Sequence, residues 1–101
     1  MLDEIIIVAR VSFSKKSLAE AVQAYILIKD LPVDIEKIGP FFKTESSQVL
    51  AITLYKFSKG EVGECLELVR KRYRSFAGVA GFSVDIGRWT SFESAIGRYL
   101  N

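Results

Sequence analysis

Arg10 is the one charge inside an otherwise apolar, β-branched run, residues 5–13. A guanidinium in such a place either pairs with a carboxylate or anchors an anionic ligand, because charges that leave water are almost always partnered. Asp85 lies in an alternating segment near the C-terminus and is the carboxylate a sheet would set beside it. The alternation of side chains along a strand is expected to put Thr53, Tyr55, Ser83 and Trp89 on the same sheet face as Arg10 and Asp85. These six residues are the candidate ligand site. Arg10 would hold an acidic group, or pair structurally with Asp85. Tyr55 and Trp89 would stack or pack. Gly81, Ser83 and Gly87 leave one strand nearly bare, so that a ligand, a helix or another backbone could approach closely.

Much chemistry is excluded by composition. The chain of 101 residues has no histidine, which removes the commonest general base and the commonest zinc, copper and heme ligand. Its single cysteine, Cys65, allows neither an internal disulfide nor a thiolate cluster, and is read as a buried structural residue on a helix. No catalytic residue, metal site or cofactor is therefore expected. Gly60-x-x-Gly63 and Gly78-x-x-Gly81 lack the context of a phosphate loop. A net charge of +2 is too mild to call for a nucleic acid or a membrane. The run Arg70-Lys71-Arg72-Tyr73-Arg74 is read as the basic end of a helix that begins with Glu61 and Glu64, with Glu67 and Lys71 as an i,i+4 pair. The N-terminal Met1-Leu2-Asp3-Glu4 is not the basic start of a signal peptide, and a cytoplasmic protein is expected.

The elements that must position these residues follow from hydrophobic periodicity. Residues 5–13 and 48–57 are apolar at nearly every position, as in strands covered on both faces. Residues 17–30 are predicted to be a helix, with Ser17 and Glu20 as a capping box, Leu18, Val22, Tyr25 and Ile26 on its buried face, Ala21, Ala24 and Ile28 widening that face, and Pro32 as its stop. Residues 33–43 read as an edge strand bent at Gly39-Pro40, followed by a turn at 44–47. A second helix is predicted over 61–76 with Val62, Cys65, Leu66, Val69, Tyr73 and Phe76 inward and Gly78 as a left-handed cap. Residues 79–89 alternate as an edge strand, and Ser91 caps a last helix on which Phe92, Ile96, Tyr99 and Leu100 share a face.

This order, β-α-β-β-α-β with a C-terminal helix, predicts a single α+β domain over residues 1–101, with the ferredoxin-like four-stranded antiparallel sheet in the order 4-1-3-2. Splitting the strands by face gives a helix-covered set with Ile5, Ile7, Ala9 and Val11, Leu50, Ile52 and Leu54, and Phe82, Val84 and Ile86. The opposite face takes Ile6, Val8 and Arg10, Val49, Ala51, Thr53, Tyr55 and Phe57, and Gly81, Ser83, Asp85, Gly87 and Trp89. An apolar face of that kind calls for a second copy, the C-terminal helix or a ligand to cover it. The element order and the two-sided strands resemble the dimeric α+β-barrel superfamily, in which ferredoxin-like sheets pair face to face. The resemblance implies a homodimer with a cavity between sheet and helices. Many enzymes of that superfamily rely on a histidine, which this chain lacks. The RNA-recognition motif shares the order, but residues 5–13 have no aromatic in mid-strand and 48–57 lack the Lys/Arg-Gly-Phe/Tyr pattern.

The expected function is thus that of a homodimeric, small-ligand-binding or regulatory protein. One alternative is a histidine-free, cofactor-independent enzyme that uses Tyr55 or Asp85 for proton transfer and Arg10 to orient a small acidic or aromatic substrate. The other is a structural assembly subunit with a filled face.

Overall fold

The computed structural model describes residues 4–100, with side chains described through residue 97. The predicted face of the last helix includes Tyr99 and Leu100, whose side chains lie outside the described residues, as do Met1, Leu2 and Asp3.

β1 (Ile5–Ser14) and β3 (Gln48–Phe57) form the centre of one antiparallel sheet. β2 (Ile35–Glu45) flanks β3, and β4 (Ser83–Trp89) flanks β1, so the order is β2-β3-β1-β4, the expected 4-1-3-2 read from the other edge. The two strands that are apolar throughout are the two that have neighbours on both sides. β2 is an edge strand with its register shift between Ile38 and Phe41, where Pro40 has no N–H to give a ladder. Three helices complete the α+β chain: α1 (Leu18–Ile26), α2 (Val62–Arg72) and α3 (Phe92–Leu100). None of them is long and apolar enough to cross a membrane, among the described residues.

The helix-side core has two clusters. Ile5, Ile7 and Ala9 meet Tyr55, Cys65 and Val69, with Val69 wholly buried. Val11, Phe13 and Val49 meet Ala21, Ala24 and Phe76, and Phe76 stacks on Phe82 with ring centroids 5.0 Å apart. α2 follows its predicted inner face, then tightens into a 3-10 turn at Arg74–Phe76.

The first helix departs from expectation. It ends at Ile26, well before Pro32, and a 3-10 turn at Lys15–Ser17 precedes it. Ser17 does not cap it. Its buried hydroxyl donates to the Ala80 carbonyl at 2.9 Å, and Ser14 caps the preceding 3-10 turn by accepting from the Lys16 N–H. The buried face is also turned toward its small residues. Ala21 and Ala24 are buried as expected, whereas Leu18 and Val22, expected at the centre of that face, are about half exposed, at 51% and 48%. The two alanines let α1 approach the turn at Phe76 closely, which the larger side chains would prevent. Ser75 locks this contact by donating to the Ala24 carbonyl at 3.0 Å.

Two further corrections concern turns. Gly78 has no left-handed backbone; that conformation is taken by Gly81, just before β4, which begins at Ser83 rather than at residue 79. Glu67 pairs with Arg70 and Arg74 rather than with Lys71. Ser91 does cap α3, accepting from the Ser94 N–H at 3.2 Å.

Gly39, in the bulge of β2, has φ +106°, and a Cβ there would lie 2.8 Å from the Ile52 carbonyl oxygen. Gly39→Ala is expected to lower stability by about 1–3 kcal/mol. Gly63 in α2 has nothing within 4 Å of a built Cβ, so Gly63→Ala is expected to raise it by about 0.5–1 kcal/mol. Urea titrations of the two variants check both signs.

Candidate functional site

The register of the two central strands decides which side chains share a face. Ile7 stands opposite Tyr55, Ala9 opposite Thr53, and Arg10 opposite Ile52. Directly paired residues point to the same side of a sheet. Thr53 and Tyr55 therefore lie with Ile7 and Ala9 under the helices, and Leu50, Ile52 and Leu54 lie with Arg10 on the open side. The expected assignment of residues 48–57 is inverted. That of the outer strand at 83–89 holds, because Arg10 pairs with Asp85, Val8 with Gly87 and Ile6 with Trp89. The six candidate residues thus divide. Arg10, Ser83, Asp85 and Trp89 share the open face, while Thr53 and Tyr55 belong to a separate site across the sheet. No single cavity holds Arg10 together with Tyr55.

On the open face the Arg10 Nε donates to Asp85 Oδ2 at 3.2 Å, and its guanidinium carbon lies 5.7 Å from the centre of the Trp89 ring. The ion pair expected from the sequence forms, but more than half of each side chain remains exposed, so in the single chain it contributes only ~0.2–1 kcal/mol. Val8, between Leu54 and Gly87, is already buried. Around it Phe41 and Trp89 are 58% and 50% exposed. The face carries a shallow depression of about 650 Å³ whose lining includes Arg10, Ser12, Phe41, Leu50, Ile52 and Asp85. The described apolar side chains of α3 are not seated on a surface: Phe92 is 78% and Ile96 37% exposed. The shortest dimension of the molecule, 18 Å, fits two layers with one sheet face bare.

The second site lies under the helices, between α1 and the β2–β3 edge. The rotation of α1 leaves Leu18, Val22 and Tyr25 facing Phe42, Val49 and Ala51 across an apolar cleft of about 240 Å³. Lys37 of β2 donates to the Tyr25 hydroxyl at 3.3 Å and links the two walls. Thr53, Tyr73 and Tyr25 supply the hydroxyls of this cleft. The Tyr73 hydroxyl is 2.8 Å from that of Tyr55, which accepts from the Arg72 Nε at 3.4 Å. Arg72 in turn donates to the Lys29 carbonyl at 2.8 Å, and so fixes the segment after α1. Burial, and then the adjacent Tyr55, push the Tyr73 pKa far above the usual tyrosine value; the Thr53 hydrogen bond and Arg72 pull weakly the other way. Tyr73 stays protonated through the physiological range. Cys65, elsewhere in the core, is also held as a thiol by burial and by nearby Glu64.

Tyr73, Phe42 and the exposed side of α1 were not among the candidate residues. One signal for the inversion exists in the sequence: Gln48 and Lys56 share a parity with Leu50, Ile52 and Leu54, and polar strand ends mark that set as the one facing water. Among the described residues no group of acids and cysteine could hold a metal ion. Comparison with known proteins finds no family model, no curated protein and no solved structure that matches the chain.

The raised Tyr73 pKa has a signed consequence. A group whose folded pKa lies above its unfolded value of ~10 contributes stability in full below that pH and loses it as pH rises further. Stability is therefore expected to fall with a steeper alkaline slope in the wild type than in Tyr73→Phe. Melting curves of both proteins between neutral and strongly alkaline pH measure the difference.

Proposed function

We propose that the chain is a homodimeric small-ligand-binding protein of the ferredoxin-like, α+β-barrel type, with two sheets packed face to face and one ligand cleft per subunit beneath the helices. The observation that carries this reading is the bare apolar face of the sheet. Ile6, Ile38, Phe41, Ile52, Leu54 and Trp89 share this face, Phe41 and Trp89 half or more exposed and the other four partly exposed, among the described residues. Contiguous apolar area of this kind is rare on monomers.

Size favours a second copy as the cover. Four strands at ~4.8 Å spacing and ten residues at ~3.3 Å each give a face of about 600 Å² before side-chain relief is added. That approaches the ~800 Å² per partner of a stable protein interface. The charges agree with it. Arg10 and Asp85 already neutralise each other, and Lys43 pairs with Glu45 at 2.9 Å. A second sheet would therefore bury ion pairs rather than isolated charges, which is the tolerable case. In this reading Arg10, Ser83, Asp85 and Trp89 serve the interface. Thr53, with Tyr55 behind Tyr73, serves the ligand. The enzymatic alternative that used Tyr55 would need it beside Arg10, and the sheet lies between them; the form that used Asp85 keeps both residues on the open face, where they already pair with each other.

Phe41 and Phe42 are consecutive but face opposite sides, opposite Ile52 and Ala51 respectively. Phe41→Glu is expected to weaken the dimer by about 30-fold or more, the scale of an interface hot spot. Phe42→Glu is expected to leave assembly unchanged. Sedimentation velocity at micromolar concentration reads both. A monomeric wild type, or dissociation by Phe42→Glu and not by Phe41→Glu, contradicts the reading.

A further inference from the structure

The walls and the polar end of the helix-side cleft restrict what it accepts. No lysine, arginine, aspartate or glutamate lines it; its walls are aliphatic and aromatic, and its polar side chains are hydroxyls. A carboxylate or ammonium placed there would lose its hydration without gaining a counter-charge, which costs several kcal/mol. Lys37, the nearest cation on β2, is already engaged with Tyr25 by a hydrogen bond and by its position 5.6 Å from the ring centre. Arg72 lies behind Tyr55 and is not part of the lining.

The direction of the hydroxyl chain adds a second restriction. Arg72 has only protons to offer, so the Tyr55 oxygen accepts from it. The nearby guanidinium, whose carbon is 5.5 Å from the Tyr55 ring centre, polarises Tyr55 and favours the arrangement in which its O–H donates onward to Tyr73. With its oxygen receiving the proton from Tyr55, Tyr73 has its own O–H left to give. Tyr73 lines the cleft, whereas Tyr55 does not. Tyr25, whose oxygen accepts from Lys37, is 44% exposed, so Tyr73 is the less exposed tyrosine donor of the cleft, and an apolar cleft with hydroxyl donors and no charge selects an uncharged acceptor.

We infer that the cleft binds a small, uncharged, ring-sized molecule bearing a single acceptor oxygen, of the aryl ketone or aldehyde class, with that oxygen on the Tyr73 hydroxyl. The volume of about 240 Å³ gives room for a ligand on the order of ten non-hydrogen atoms. The inference rests on the ligand-binding reading above but not on the dimer.

Three probes of nearly equal shape test it on the full chain: acetophenone, isopropylbenzene and benzoate, with dissociation constants from ligand-observed NMR at neutral pH. Acetophenone and isopropylbenzene are expected to bind and benzoate to bind most weakly. Tyr73→Phe is expected to weaken acetophenone by about tenfold relative to isopropylbenzene, since the buried carbonyl then has no donor. Arg72→Gln is expected to shift the same ratio in the same direction by a smaller factor, and serves if Tyr73→Phe does not fold. Val22→Trp, which sets an indole in the mouth, is expected to abolish binding of both. Failure of all three probes to bind overturns the inference. So does tightest binding by benzoate, or a ketone-to-hydrocarbon ratio unmoved by both Tyr73→Phe and Arg72→Gln. Sedimentation reads assembly separately, so a monomer that shows Tyr73-dependent ketone binding contradicts the dimer alone.

Discussion

The pairing of Ile7 with Tyr55 and of Arg10 with Ile52 is the constraint on which the rest of the structure depends. Strand side chains have a period of two, so a slip of one residue between β1 and β3 would exchange the two faces completely. In the observed register the Tyr55 ring goes into the core beside Val69, and its hydroxyl reaches Tyr73 and Arg72. The alternative would bury Lys56 and Gln48 under the helices and put the Tyr55 and Thr53 hydroxyls on the open side. Burying an unpaired lysine costs far more than any gain from exchanging leucine for tyrosine in the core. The polar ends of β3 therefore set its phase, although its middle is apolar on both sides.

Two properties follow from that one register. The open face becomes aliphatic along the middle of β3, with Gln48 and Lys56 at the strand's ends, the Arg10–Asp85 pair on the β1–β4 side and the Lys43–Glu45 pair on β2. The helix side acquires the hydroxyl chain, which would otherwise have faced water. α1 makes the second surface usable. Its alanines seat it against Phe76 and its larger residues stand off from β2, leaving space over Phe42 and Ala51 that a helix packed on its Leu18–Val22 face would have filled.

The sequence carried the element order, the central place of β1 and β3, the bend in β2 at Gly39-Pro40, and the Arg10–Asp85 pairing. Each has a local cause: continuous apolarity, a proline, or a lone charge with a carboxylate at matching parity. The phase of β3 was harder to read because nothing in mid-strand distinguishes its two sides. On α1 the alanines that widen the apolar face become its buried centre, because close packing against the Phe76 turn requires small residues, and Leu18 and Val22 stand half exposed. The two differences have the same origin, since both depend on which neighbour a segment meets rather than on its own pattern. Together they scattered the candidate site. Arg10, Ser83, Asp85 and Trp89 remained together, and Thr53 and Tyr55 moved across the sheet to join Tyr73.

Trp89 is the only tryptophan, and it lies on the open face opposite Ile6. Its emission therefore reports directly whether that face is covered. Dilution from tens of micromolar to low nanomolar, followed by fluorescence, is expected to shift the emission maximum to longer wavelength in a single transition as a dry interface becomes wet. An emission maximum typical of a water-exposed indole, and unchanged over the whole concentration range, would contradict the pairing of the two sheets.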